Sequence, residues 1–322
     1  MKRHLNLALI ALLAAGVAAL AWKGSSYYSQ VAITTMIFVI LTASLNYVTG
    51  SAGLLTLGHA AFFGVGAYTA ALLSTKLGWA FWFTLPVSGA VAAVVGALVA
   101  VPTMRLTSIY FAVATLGIGE MIYVTQLNWV GLTRGPMGIR SIGGIEVFGA
   151  RGMVTALVVT AVVMLACLWV LHRLTHSYYG NSLRALREDD ACADAMGIDV
   201  ARLKLEGFSV ACFFAGVAGA LFAHTTGYIS PESFKFGESI LVLSMAVVGG
   251  LGSLYGSIVG AVLLSVLPEL LRDLGSWRMV AVGVVLFVSI LFLPKGLVGE
   301  VSAIELIRAQ IRRAADGARR TW

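Results

Sequence analysis

The chain has 322 residues, of which 59% are hydrophobic and only 11% charged, and its mean hydropathy is +0.91. An average soluble domain carries roughly 25% charged residues, so this chain has too few polar groups to cover a water-facing surface of its size, and an ordinary soluble globular protein is excluded. The net charge of +7 comes from basic residues between apolar runs and in the C-terminal tail, without interleaved aromatics, which speaks for membrane topology and against nucleic-acid binding.

The chain opens with Lys2-Arg3-His4 and an apolar run over 5–22. This resembles a signal peptide, and Val17-Ala18-Ala19-Leu20-Ala21 offers a cleavage site. The run is long for a signal segment and near the spanning minimum, so it reads as a retained first helix. Further spanning runs cover 31–49, 54–74, 84–104, 108–128, 153–174, 206–226, 254–271 and 277–293. The stretch 238–250 is short, ends in Gly249-Gly250, and reads as a broken or tilted helix. Backbone groups in lipid must be satisfied within the segment, so the expectation is an all-α polytopic membrane protein of about ten helices; alternation of the β-barrel kind is absent. Residues 1–303 form the membrane domain. The basic tail 304–322, with Ile304, Ile307 and Ile311 at helical spacing, lies on the membrane surface or on a partner. With both termini cytoplasmic, the inward connectors hold 14 of the 22 Lys and Arg residues.

Two connectors stand out. The outer one, 129–152, is rich in glycine and turn residues and has room for a short hairpin. The inner one, 175–205, reads as two short helices that stop at Gly197, with Leu183, Leu186, Ala191 and Ala195 as an apolar face. Mixed acids and bases on its other side suit a protein groove better than lipid. Small residues recur every four positions at Gly252, Gly256 and Gly260 and at Ala211, Ala215, Gly219 and Ala223, and Ala60, Gly64, Ala67 and Ala71 form a third stripe. Such stripes let helix backbones approach closely. Glycines also cluster where helices break, at Gly50, Gly53 and Gly58 and again at Gly249, Gly250 and Gly252. Paired breaks of this kind flag an internal repeat around a midplane cavity.

Polar groups inside the spans are few. Glu120 lies near the middle of one. It is either a structural partner at a helix interface or a path residue, since intramembrane carboxylates are costly. His59 and Asn46 leave the same two readings open. The cysteines Cys167, Cys192 and Cys212 show no CxxC pair and no metal spacing. There is no GxxxxGK[ST] phosphate loop, no HExxH and no GxSxG, and Glu120, His59 and His224 form no catalytic set. The chain is expected not to be an enzyme and to hold no metal or cofactor. Energy comes from outside the chain, or the path is a passive channel.

The run Gly50-Ser51-Ala52-Gly53-Leu54-Leu55-Thr56-Leu57-Gly58-His59-Ala60-Ala61-Phe62-Phe63-Gly64-Val65-Gly66-Ala67-Tyr68 resembles the signature of the LivM-type permeases of branched-chain amino-acid ABC importers. Three further blocks agree in order: Arg105 to Glu120 with Ile109-Tyr110-Phe111-Ala112, the inner connector, and Val248 to Gly256. The resemblance implies a type II ABC importer permease-like bundle in a bacterial inner membrane. It implies a second, LivH-like permease, two cytoplasmic ATPase subunits that hold ATP and Mg, and an extracytoplasmic solute-binding protein. It puts coupling to the ATPases at Arg184, Ala185, Arg187, Glu188, Ala193 and Gly197, the last on the family's loop glycine. Ala191-Cys192-Ala193 stands where the family has Glu-Ala-Ala. Candidates for the path or its gate are Asn46, Gly53, Gly58, His59, Tyr110, Glu120, Gly249 and Gly250. Relatives of similar sequence carry urea, short-chain amides or aromatic acids, so the solute stays open at this point.

Overall fold

The computed structural model describes residues 26–104, 106, 108–147 and 150–271, with isolated positions between 275 and 297. The expected first helix over 5–22, most of 277–293 and the tail from 304 lie outside the described residues. Within them the chain forms α1 (Ser26–Asn46), α2 (His59–Leu77), α3 (Phe81–Thr103), α4 (Ser108–Asn128), the single turn α5 (Val130–Thr133), α6 (Met153–Thr175), α7 (Tyr178–Glu188), α8 (Asp190–Ala195), α9 (Val200–Thr226), α10 (Phe236–Gly249) and α11 (Leu254–Leu270). Among the described residues six helices are long and apolar enough to cross a membrane: α1 with its extension to Ser51, α2, α3, α4, α6 and α9. α10 and α11, of 14 and 17 residues, form a shorter hairpin.

Several boundaries follow from local chemistry. Asp199 caps α9 by accepting the Arg202 N–H at 3.0 Å, which starts that helix six residues before the apolar run does. Ser253 caps α11 through the Gly256 N–H at 3.1 Å. Gly78 and Gly227, both left-handed, end α2 and α9. α2 begins at His59 rather than near 54, because the chain leaves helical geometry at Gly53 (φ 69°) and Leu54–Gly58 is irregular.

α9 is the centre of the bundle and packs most extensively on α3 and α2. Ala211, Ala215, Gly219 and Ala223 of its small-residue stripe are all buried. In lipid, helices gain little by hiding apolar surface from one another, so close packing must supply the attraction. The backbones approach closely at glycines: a Cβ on Gly66 of α2 would lie 2.3 Å from the Gly216 Cα of α9, and one on Gly219 of α9 2.2 Å from the Phe63 oxygen of α2. The α10–α11 hairpin is built the same way, since a Cβ on Gly249 would lie 1.9 Å from the Gly256 oxygen and one on Gly260 the same distance from the Met245 oxygen.

The connectors gather at two ends. At one lie the Gly50–Gly53 and Gly250–Gly252 breaks, Arg187, and Leu297, whose N–H donates to the Val248 carbonyl at 2.9 Å. At the other lie Tyr27, whose hydroxyl donates to Glu269, and the 129–152 connector. That connector contains the expected hairpin, Glu146–Val147 against Ala150–Arg151, and a second short pairing of Ile139–Arg140 with Tyr228–Ile229. Substituting Gly66→Ala is expected to force α2 off α9 and to cost about 1–3 kcal/mol. A lowered thermal midpoint in detergent, with helix content retained by circular dichroism, checks this.

Candidate functional site

The glycine breaks meet at one junction. α1 ends in a wider, π-helical turn over Tyr47–Ser51, a geometry that frees backbone groups from the regular ladder. Asn46, buried at that turn, reaches across to the opposite break. Its amide donates to the Gly250 carbonyl at 3.2 Å, the Ser253 carbonyl at 2.9 Å and the Ser257 hydroxyl at 2.6 Å, and its oxygen accepts the Gly252 N–H at 2.8 Å. One amide thus stitches α1 to the loop between α10 and α11. The backbones touch there as well, since a Cβ on Gly50 would lie 2.2 Å from the Gly252 nitrogen. Gly252 takes φ 83° and serves the turn, so the packing stripe of α11 consists of Gly256 and Gly260 without it.

The inner connector closes onto this junction. Arg187 of α7 donates from Nη1 to the Gly50 carbonyl at 2.7 Å. The same side chain lies against Gly53 and Gly252, where a Cβ would sit 3.2 Å from its Cγ and Nη1 respectively. The connector is held from below by its own caps. Ser177 starts α7. Asp189 starts α8 by accepting the Ala191 and Cys192 N–H groups at 2.8 and 3.0 Å, and the Cys192 and Ala191 bonds hold its carboxyl below the usual carboxylate range. Lys204, buried at the start of α9, pairs with Asp190. Leu183, Leu186 and Ala193 are buried against the bundle, whereas Ala191 and Ala195 are exposed. Ala193 lies two helical turns on from Leu186, so the inward face continues there. Ala185, Glu188, Met196 and Gly197 face outward, and Arg184 is half-buried.

The remaining sequence candidates divide by position. His59 is fully buried, with Nε2 at 2.9 Å from the Ser44 hydroxyl, which itself donates to the Leu41 carbonyl. Gly58 packs on α4, where a Cβ would lie 2.2 Å from the Thr115 oxygen, and the Leu57 N–H donates to the Thr115 hydroxyl at 3.2 Å. Gly249 and Gly250 lie in the packed hairpin and its turn. Tyr110, 68% exposed, and the half-buried Glu120 lie on the open side of α4. Glu120 lines a crevice with Leu57, Gly58, Gly119 and Ser239. Residues that sequence reading missed include Ser239, whose hydroxyl accepts the Ala60 N–H at 2.9 Å and so caps α2 from α10. His224 belongs to no catalytic set, yet it bonds Thr84 at 2.8 Å and the Gly143 carbonyl at 2.5 Å, pinning the outer connector to the bundle. These partners lie 81 to 179 residues apart, and no local pattern announces them. Among the described residues no three His, Cys, Asp or Glu side chains gather as a metal set.

The profile of the family described as "Branched-chain amino acid transport system / permease component" matches residues 27–293. The chain belongs to this family. It is 37% identical to the high-affinity branched-chain amino acid transport system permease protein LivM of Escherichia coli (strain K12), with 91% of this chain and 74% of the relative covered. It is also 37% identical to LivM of Salmonella typhimurium, over 89% and 74%. With LivH of Escherichia coli (strain K12) it shares 25% identity, over 81% and 91%. No solved structure matches the chain. The family is one of multi-pass membrane transport subunits and not of enzymes.

Replacing Asn46 with Leu leaves the half-buried Gly252 N–H without that partner, at about 1–3 kcal/mol, and takes one of their donors from the Gly250 and Ser253 carbonyls, which keep the Ser253 and Ser257 N–H groups. Thermal unfolding is expected at lower temperature than wild type, with faster amide exchange confined to the 250–253 turn.

Proposed function

We propose that this chain is one half of the translocation path of an ABC importer for branched-chain amino acids. A LivH-like permease forms the other half. Two cytoplasmic ATPases supply the energy, and a solute-binding protein delivers the cargo on the outer side. The observation that carries this reading is the Arg187–Gly50 bond. It ties the helix of the largest inward connector to the point where two broken membrane segments touch. A push or pull on α7 and α8 therefore reaches the break between α1 and α2 and the turn between α10 and α11 without passing through flexible chain. The outward Ala185, Glu188, Met196 and Gly197 form the surface for an ATPase groove. The printed names of the LivM and LivH relatives support the choice of branched-chain amino acids over urea or amides.

The path runs along α4. α3 exposes Phe83, Val94, Leu98 and Val101, and α6 exposes Val154, Val158, Val162 and Trp169, faces that suit lipid. α4 is the least buried of the six long helices, and its open side carries Tyr110, Gly117, Glu120 and Asn128 among apolar neighbours. Polar groups in such positions face a partner or water. The membrane is the bacterial plasma membrane, with both termini and the 175–205 connector cytoplasmic. Coupling then requires the partners to bind one arrangement of the junction better than another.

Two experiments test this. In the complete complex in proteoliposomes, Arg187→Ala is expected to insert and to retain the ATPases while leucine uptake falls about tenfold, the worth of one charge-assisted bond. Wild-type uptake by this variant refutes transmission through the junction. Cys192, the exposed cysteine of the three, is expected to react with a membrane-impermeant maleimide in inverted vesicles and not in intact spheroplasts. The opposite labelling pattern reverses the orientation and removes the docking surface.

A further inference from the structure

Glu120 is an acidic group that neither the packing nor the coupling junction accounts for. Among the described residues its carboxylate makes no hydrogen bond or ion pair. Glu206 is engaged by Arg202, Glu232 by Lys235 and Tyr123, and Glu269 by Tyr27, whereas Glu238 in the first turn of α10 likewise makes no hydrogen bond or ion pair among the described residues. Position 120 falls well inside α4, which spans Ser108–Asn128, so the charge cannot reach either membrane surface along its own helix. The crevice beside it is narrow, with about 10 Å³ of accessible space, enough for about one water-sized group. Gly58 and Gly119 form its floor, backbone against backbone, with a Cβ on Gly119 coming 3.1 Å from the Gly58 Cα. Its lining contains no cationic side chain, and Ser239 of α10 supplies a second polar group to it. The crevice lies between α4 and the 57–61 and 234–239 segments, and Glu120 stands at the edge between it and the exposed face of α4 that carries Val113, Gly117 and Met121.

We propose that Glu120 receives the α-ammonium group of the amino acid as it passes between the two permease subunits. This rests on the importer reading above and names the group within the path that recognises the cargo. An ammonium group is the size the crevice admits, and it offers the donors that an unpaired carboxylate lacks. A branched aliphatic side chain is too large for the crevice and stays against Val113 and Met121 on the open face. A single charge-assisted contact on an otherwise apolar face holds the solute loosely enough to release it, which conduction requires.

The test uses the complete complex of both permeases, the ATPases and leucine-loaded binding protein in proteoliposomes. Glu120→Gln is expected to lower leucine uptake about tenfold, and Glu120→Asp to restore most of it, since the Gln amide keeps the shape and loses the charge. ATP hydrolysis stimulated by the loaded binding protein is expected to stay within about twofold of wild type, which separates a path role from a docking or assembly role. In a Cys192→Ser background, Glu120→Cys is expected to react with a positively charged thiosulfonate, and leucine turnover to slow that reaction. If the wild-type complex carries no leucine, the importer reading itself falls. If the wild type carries leucine and Glu120→Gln matches it, Glu120 is not the recognition group. A thiol at position 120 that resists the charged reagent shows the position sealed in lipid or protein, and overturns the proposal even where the Gln variant fails to assemble.

Discussion

The structure depends on a constraint that lipid imposes: a helix that breaks inside a membrane frees backbone groups that no water is there to satisfy. Among the described residues the chain breaks after α1 and between α10 and α11, and it meets the demand by setting the breaks against each other. Asn46 commits both its amide nitrogen and its oxygen to the opposite turn and the first turn of α11, and Arg187 brings a guanidinium to the Gly50 carbonyl. The residues that make the breaks affordable are thus the same ones that join the breaks to the inward connector. Structural need and mechanical linkage share one set of atoms.

Much of the helical plan is legible without coordinates, and the reasons are physical. Apolar runs such as 108–128 and 153–174 reappear within a residue as α4 and α6, because a spanning helix must be apolar along its length. The glycine breaks and the stop at Gly197 are legible because backbone geometry demands that residue. The start of α9 is not, since Asp199 caps a polar stretch that carries no hydropathy signal. The inward face of the connector is misread for a related reason. A run of alanines carries little hydropathy signal: Ala191 and Ala195 are exposed, and Ala193, two turns on from Leu186, is the one buried. The site is legible only in part. Arg187 and Asn46 stand out as polar residues in the right segments, but their partners lie 137 and more than 200 positions away.

Burial divides the long helices by task. α9 and α2 carry small residues on their contact stripes and hold the bundle together at glycine contacts. α3 and α6 turn apolar side chains outward and satisfy the lipid. α4 does neither job fully. It is hooked to the bundle through Thr115 and the 57–58 segment, yet it leaves tyrosine, glutamate and asparagine uncovered. A helix held on one side and polar on the other is suited to border a space that changes shape.

The glycine contacts between α10 and α11 have a consequence for how such a change is transmitted. With the Gly249 backbone seated on Gly256 and Met245 seated on Gly260, no side chain intervenes that might yield. The two helices have no slack to slide past each other and must swing as a single stiff oar. Asn46 is its rowlock, and the stroke begins wherever a hand takes hold of α7.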